Sequence, residues 1–140
     1  MVKLDDYITS SGKYPERANS PELTKAAILY ATELLERVNK ALKYLNFADV
    51  KVSSGFRPSK VNGSVGGSKM SGHMLGMAID LVDLKGEIDD AFDTEKGQQI
   101  LKDLDLWQEH PKKTKTWIHL DMRKRPEVIR DGCKRRQFWP

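Results

Sequence analysis

The chain has 140 residues, of which 39% are hydrophobic and 31% charged, with a formal net charge of +4 and a mean hydropathy of −0.59. This length and composition predict one globular domain over residues 1–140, large enough to bury its own core. No apolar run approaches the roughly 20 residues that span a bilayer, so no membrane insertion is expected, and the single cysteine excludes an intrachain disulfide or a cysteine-based zinc site.

The chain begins with a segment of no clear periodicity and continues into one long helix. Residues 1–19 contain a glycine and a proline, and we expect an irregular N-terminal arm over the domain. The run Ser20-Pro21-Glu22 predicts a helix start, because serine caps helices and proline suits the first helical position. Apolar residues then recur at steps of three and four, which predicts a core-facing helix of about 24 residues ending near Asn46. They are Leu23, Ala27, Tyr30, Leu34, Val38, Ala41 and Leu45.

Short strands and loops follow the long helix. Residue alternation predicts strands at residues 50–54, 77–82 and 117–122, and a short helix over 95–104 with a threonine as its N-cap. Residues 58–72 are rich in glycine and serine and predict a long loop, which in a compact domain usually has a function. The order of these elements predicts an α+β fold with a small, mostly antiparallel sheet and helices packed on one face.

The positive charge is concentrated near the C-terminal end. Seven basic and two acidic residues lie between Arg123 and Arg136, an excess of five positive charges, whereas the rest of the chain has a net charge of −1. This basic segment, residues 123–140, could face a polyanion or an anionic cell envelope. The simpler interpretation is that this segment is a solvated surface, with Phe138 and Trp139 packed back on the domain. Nucleic acid is not the expected partner, because stacking aromatics are not interleaved with the basic residues.

Two of the three histidines form a candidate metal-ligand set with one aspartate. Strand alternation places Asp80 among apolar neighbours, where a carboxylate needs a partner such as a metal ion or a salt bridge. Gly76 permits a turn that folds His73 back toward Asp80, and His119 shares a strand face with Asp121. The set His73, Asp80 and His119 leaves one position open for water or substrate, as catalytic zinc sites do.

Three further features have no predicted catalytic role. Asp83 and the pair Asp89-Asp90 are expected on the solvated surface. Cys133 is expected to be a buried or spectator thiol. The N-terminus lacks the apolar segment of a secretory signal, so we expect synthesis in the cytoplasm without a signal peptide, and a monomeric protein.

A composite motif surrounds the three ligands. Its parts are Ser53-Ser54-Gly55-Phe56-Arg57-Pro58, Asn62, Val65-Gly66-Gly67-Ser68, the run from Ser71 through His73, Gly76 and Ala78 to Asp80, and Trp117-Ile118-His119. In this order they resemble the zinc D-alanyl-D-alanine carboxypeptidase family, which includes phage cell-wall endopeptidases and has the hedgehog/DD-peptidase fold. The resemblance implies that His73, Asp80 and His119 bind Zn²⁺. It also implies that Arg57 and Ser71 lie in the substrate cleft, where an arginine fork can bind both oxygens of a peptide carboxylate.

Amide hydrolysis at such a site also needs a general base. The resemblance implies Asp or Glu three residues before the last histidine, where this chain has Thr116, which cannot act as a base near neutral pH. Asp121 is preferred in its place because it shares a face with His119, although it could equally orient a metal ligand. Glu109 is the second candidate for the base, and His110 is the third.

The expected function is that of a zinc peptidase. Its substrates would be peptidoglycan stem peptides in the bacterial cell wall, cleaved by carboxypeptidase or endopeptidase action, as a phage endolysin does. Thr116 leaves open an inactive, metal-containing module of the same fold that binds the wall or serves a structural role. A non-haem iron oxygenase shares the ligand types, but the chain lacks the many short strands of a jelly roll. A nucleic-acid-binding protein, argued from residues 123–136, is the remaining alternative.

Overall fold

The computed structural model describes residues 1–139 and has the expected α+β architecture. Helices lie before the first strand, between the first and second strands, and between the second and third strands. Those before the first strand are α1 (Leu4–Thr9), a 3₁₀ helix (Pro15–Asn19) and α2 (Lys25–Tyr44). The others are α3 (Ser59–Ser64), α4 (Gly72–Leu75), α5 (Glu87–Asp93) and α6 (Glu95–Asp103).

The strands of the predicted regions are β1 (Val52–Ser54), β2 (Ala78–Val82) and β4 (Trp117–Asp121). The others are β3 (Trp107–Glu109), β5 (Val128–Arg130), β6 (Cys133–Arg135) and β7 (Gln137–Phe138). Within the described residues, five strands form the main sheet in the order β1-β2-β4-β3-β7, and two more form a separate hairpin, β5–β6. The main sheet is antiparallel except at one edge, where β7 pairs parallel with β3.

The two central strands divide their side chains between a core and a cleft. Ile79 and Leu81 of β2 belong to the buried cluster that includes Leu34 and Val38 of α2. Asp80 and His119, which are directly paired across β2 and β4, lie on the opposite face and line a cleft. Period-two alternation therefore places the polar residues on the face away from α2.

The long helix α2 confirms the predicted apolar stripe except at Tyr30, which is exposed, and it begins later than expected. Thr24 is its N-cap, and the Thr24 hydroxyl accepts a hydrogen bond from the Ala27 backbone N–H at 3.1 Å. Ser20 instead closes a single turn, in which its carbonyl accepts from the Leu23 N–H. Within residues 1–139, no helix is both long and apolar enough to cross a membrane.

Residues 1–19 contain α1 and the 3₁₀ helix and pack on the domain, which differs from the irregular arm expected. Tyr7 of α1 is fully buried, and its hydroxyl donates to the Ala78 carbonyl at 3.0 Å. Arg17, also buried, donates to the Phe56 carbonyl at 3.0 Å. These long-range contacts, which no local periodicity reveals, hold the segment beneath β1 and β2.

Two assignments to loop and surface are wrong. Residues 58–72 include the helix α3 and end at the start of α4. Asp83 is buried because it caps α5, accepting from the Ile88 and Asp89 backbone N–H groups at 3.1 and 2.8 Å. Asp89 is buried too, because its carboxylate accepts from Gln108 at 2.7 Å and Thr114 at 3.1 Å. Asp90 alone is exposed as expected.

Candidate active site

A cleft of about 480 Å³ opens on the polar face of the sheet. One wall comes from the glycine-rich stretch 66–73, and the floor comes from β2 and β4. The opposite wall comes from Glu109 at the end of β3 and from the basic segment. The predicted ligands and both predicted substrate residues line this cleft: His73, Asp80, His119, Arg57 and Ser71.

The fold brings the three predicted ligands together. One ligand atom from each of His73, Asp80 and His119 lies within 4.8 Å of the other two. The Asp80 carboxylate approaches His119 Nδ1 at 2.7 Å and His73 Nε2 at 3.4 Å. The same two imidazole nitrogens are 3.3 Å apart. Three donors therefore converge on one point at the floor of the cleft.

Each imidazole is oriented by an outer partner. His73 Nδ1 lies 2.8 Å from the Gly55 carbonyl oxygen, which can only accept, so we assign the proton of His73 to Nδ1. His119 Nε2 faces Asp121 Oδ2 at 3.5 Å, which assigns the proton of His119 to Nε2 in the same way. These partners match the outer hydrogen bonds of metal-binding histidines. When His119 is uncharged, as a metal ligand must be, this leaves His73 Nε2 and His119 Nδ1 with lone pairs directed at Asp80.

This donor set fits a divalent metal ion. With the protons on the outer nitrogens, the lone pair of His119 Nδ1 faces a carboxylate oxygen of Asp80 at 2.7 Å. Two lone pairs at this distance repel unless a proton or a cation lies between them. Two imidazoles and one carboxylate are also a donor set that zinc takes in catalytic sites. The residues present can therefore hold zinc without rearranging their outer partners.

The close packing of the three candidate ligands also shifts their pKa values. Burial lowers the pKa of His73. Burial acts to lower the pKa of His119, but hydrogen bonds to Asp121 and Asp80 outweigh burial and raise this pKa to about 9. Burial also works against Asp80, yet the two facing imidazoles hold the pKa of its carboxyl well below the usual range. Asp80 is therefore ionised at neutral pH and supplies a fixed negative charge for a cation.

Two glycines make this geometry possible. Gly76 ends α4 with φ of 78°, and a Cβ there would lie 2.3 Å from the Ala27 carbonyl oxygen. This confirms the predicted turn that brings His73 back toward Asp80. A Cβ on Gly55, whose carbonyl holds His73, would lie 1.8 Å from the Tyr7 carbonyl oxygen. Neither position accepts a side chain without moving a ligand or its support.

Arg57 and Ser71 lie beside the ligands, as the resemblance implies. The Arg57 backbone N–H donates to the His73 carbonyl at 3.1 Å, which places its side chain at the cleft. Within residues 1–139, the buried Nε of Arg57 has no hydrogen-bond partner. The Ser71 hydroxyl caps α4 by accepting from the His73 backbone N–H at 3.2 Å. Arg57 is thus a cation with free donors, and Ser71 supports the helix that carries His73.

The residues considered for a general base have very different surroundings. Asp121 is fully buried, and its carboxylate accepts from Nε and Nη2 of Arg123. Glu109 lines the cleft, and burial raises the pKa of its carboxyl. Thr116 is exposed and does not line the cleft. His110 stacks on Trp139, outside the cleft, with ring centroids 4.5 Å apart.

A comparison with known families connects this geometry to a chemistry. The family described as peptidase M15 matches residues 9–121, which include all three candidate ligands. The chain belongs to the peptidase M15 family. The predicted resemblance to the zinc D-alanyl-D-alanine carboxypeptidases is thereby confirmed. Among curated proteins and among solved structures, no significant match was found.

The basic segment lies beyond the part of the chain that matches peptidase M15, yet it completes the cleft. Arg123, Arg125 and Phe138 line the wall, and none of them was predicted as a site residue. The Phe138 ring meets His119 edge-on at a centroid distance of 5.7 Å. Five of the seven basic residues pair with carboxylates, which differs from the solvated surface expected. Phe138 is buried as predicted, whereas Trp139 is 58% exposed.

Proposed function

We propose that this peptidase M15 protein is a zinc-dependent hydrolase of peptide bonds in peptidoglycan stem peptides, acting at the bacterial cell wall. The observation that carries the proposal is the convergence of His73, Asp80 and His119 at the floor of a cleft. Zinc would be held by His73 Nε2, Asp80 and His119 Nδ1. When bound, it lowers the pKa of water to about 7 and polarises a carbonyl.

Arg57 is proposed to bind a carboxylate of the peptide. Its guanidinium lies in the cleft, and its Nε has no partner within residues 1–139. A carboxylate that accepts two parallel hydrogen bonds from the fork would be fixed in position as well as neutralised. A peptide held in this way keeps its scissile carbonyl beside the three ligands, which lowers the entropy cost of reaction.

Glu109 is proposed as the general base. It lines the same cleft as the ligands, and within residues 1–139 its carboxylate forms no hydrogen bond or ion pair, although the charge of Arg125 acts on it. Burial raises its carboxyl pKa toward the working range of a base near neutral pH. Glu109 would take the proton of the attacking water and pass it to the leaving amine. Asp121 is proposed instead to position His119, because Arg123 and His119 surround its buried carboxylate.

The alternative is an inactive module of the same fold that binds zinc and the wall. It is motivated by Thr116, which stands where the family has an acid and does not line the cleft. The two functions differ in whether peptides are cleaved, not in whether zinc or wall is bound. Gain of cleavage on Thr116→Asp, in a chain that otherwise only binds, would favour the alternative.

Digestion of defined stem peptides, read by mass spectrometry, tests the proposal. We expect one zinc per chain, cleavage that stops on adding a chelator, and products whose masses distinguish carboxypeptidase from endopeptidase action. His73→Ala should abolish both zinc binding and cleavage. His110→Ala is the matched control, because His110 lies outside the ligand cluster and should leave the zinc content unchanged. Cleavage that survives in His73→Ala would refute the zinc mechanism.

A further inference from the structure

The cleft contains a second arginine that no carboxylate fully satisfies. Arg125 stacks over the Phe138 ring, with its guanidinium carbon 3.6 Å from the ring centroid. Its Nη2 reaches Asp121 Oδ2 at 3.3 Å, and its Nε is buried with no hydrogen-bond partner in the part of the chain described. Stacking on an aromatic ring holds the planar fork in one orientation.

Asp121 does not need Arg125 as a counter-ion. Arg123 already donates to both Asp121 oxygens, with Nη2 at 2.7 Å and Nε at 3.1 and 3.2 Å, and its backbone N–H adds a bond at 2.8 Å. The contact from Arg125 is longer than the Arg123 Nη2 bond to the same oxygen. Asp121 therefore serves two guanidinium groups at once, and Arg125 has the weaker share. Glu109 lies near enough for Arg125 to act against the rise in its carboxyl pKa, but the two form no ion pair within residues 1–139.

Arg57 and Arg125 lie on two sides of the ligand set. Arg57 follows β1 at one edge of the sheet, whereas Phe138, beneath Arg125, belongs to β7 at the other edge. The strands β2 and β4, which carry Asp80 and His119, lie between these edges. A peptide lying across the ligands would meet one guanidinium on each side.

We infer that the substrate of this cleft is a peptide with two free carboxylates, one bound by Arg57 and the other by Arg125. The inference rests on the proposed function, which places a peptide across the ligands, and it specifies that this peptide carries two negative charges. Arg125 lies outside the region that matches peptidase M15, so the second subsite is a feature that the basic segment adds. A guanidinium held against a ring, with part of its side chain exposed to the cleft, can bind a carboxylate without reorganising.

The test compares two peptides that differ in one charge. They are the tripeptide L-Ala-γ-D-Glu-L-Lys, with two carboxylates, and the same peptide amidated at the glutamyl α-carboxyl. Dissociation constants are measured by calorimetry on the chelator-treated full chain, so that neither peptide is turned over. We expect the unamidated peptide to bind about tenfold more tightly, as one charge-assisted hydrogen bond allows. Equal binding of the two peptides, or no binding of either, would overturn the inference.

Variants assign the preference to Arg125. Arg125→Gln should bring the ratio of dissociation constants to about one and leave the affinity for the amidated peptide unchanged. Arg125→Lys keeps the charge but loses the planar fork, so it should retain about threefold preference for the unamidated peptide. This variant also provides a test if Arg125→Gln does not fold. Lys124→Gln removes a neighbouring exposed charge and should keep the full preference. If both Arg125 variants keep the full preference of the wild type for the unamidated peptide, the assignment to Arg125 is overturned.

Turnover separates this inference from the proposed function. If the zinc-loaded chain cleaves both peptides with equal kcat/KM, and Arg125→Gln lowers both rates alike, the peptidase stands and the second carboxylate subsite is refuted. If the chain binds the unamidated peptide selectively through Arg125 but cleaves neither peptide, the subsite stands and the peptidase is refuted.

Discussion

The two walls of the cleft are held in place by different forces. In the region that matches peptidase M15, the strands that carry Asp80 and His119 pack their other face into a buried apolar cluster. The basic segment is held mainly by polar contacts, since Arg130, Arg135 and Gln137 all converge on Asp93. Dissolved ions do not screen apolar burial, whereas they weaken partly exposed ion pairs, which contribute little to begin with.

This difference suggests that the metal site and the substrate wall can be perturbed separately. The ligands stand on strands whose positions the core fixes, so their geometry should survive changes in the basic segment. Glu109 lies at the junction, because its strand β3 pairs with β4 on one side and with β7 on the other. Proton transfer and substrate contacts should therefore respond to the basic segment more than zinc binding does.

The largest expected effect separates the two acids near His119. Glu109→Gln should lower kcat by about 10²–10⁴-fold, the usual cost of losing a general base, with zinc affinity unchanged. Asp121→Asn should instead weaken zinc binding about 10- to 100-fold, because the partner that orients His119 is altered. Kinetics on a stem peptide and competition with a chromophoric chelator measure the two quantities. A loss of zinc affinity in Glu109→Gln would contradict the assignment of roles.

A smaller effect is expected where the basic segment is anchored. Asp93→Asn removes the charge that faces Arg130 and Arg135 and should lower the free energy of unfolding by about 1–2 kcal/mol. It should also lower kcat while the zinc content stays at one per chain, since β7 and Phe138 loosen beside Glu109. Chemical denaturation and metal analysis measure these effects.

The control for this anchor is Asp105→Asn. Asp105 pairs with Arg136 of the same segment but is largely exposed, so its loss should change the free energy of unfolding by less than about 1 kcal/mol. Raising the salt concentration should reduce the difference in free energy of unfolding between wild type and Asp93→Asn, because ions screen the ion pairs of Asp93. Equal effects of the two variants would show that the basic segment is not held at Asp93.

The metal-ligand set was predictable because its signals are local. The period-two pattern identifies the strands that carry Asp80 and His119, and Gly76 marks the turn that returns His73. The short helix capped by Thr94 was found for the same reason, since its cap and its apolar spacing lie within ten residues of sequence. Local patterns thus sufficed wherever neighbours in sequence are also neighbours in space.

The second wall was not predictable in this way. Phe138 reaches the cleft because the two-residue strand β7 joins β3, almost 30 residues earlier in the chain, and strands this short show no periodicity. The expected surface position of Asp89 is wrong for a similar reason. Its burial depends on Gln108 and Thr114, which lie 19 and 25 residues away. Contacts between distant polar residues leave no repeat in the sequence.

The last prediction concerns this buried acid, which lies where the two regions meet. Gln108 donates to Asp89 and accepts from Gln137 of the basic segment. Burial raises the pKa of Asp89 to about 6, although hydrogen bonds from Gln108 and Thr114 partly offset the rise. An aspartate in an unfolded chain has a pKa of about 4. The folded state therefore holds the Asp89 proton more tightly, and stability is lost as pH rises from about 4 through 6.

Asp89→Asn should remove this loss while keeping an acceptor for Gln108. We expect the chelator-treated wild type and variant to have similar free energies of unfolding near pH 4, and the variant to be more stable by on the order of 2 kcal/mol at pH 7. Urea denaturation across this pH range measures the difference, with the exposed Asp103→Asn as control. If the difference in free energy of unfolding between wild type and variant does not change with pH, Asp89 stays charged when buried. In that case the junction is held by an ionised carboxylate, and the contrast between an apolar wall and a polar wall would extend into the core itself.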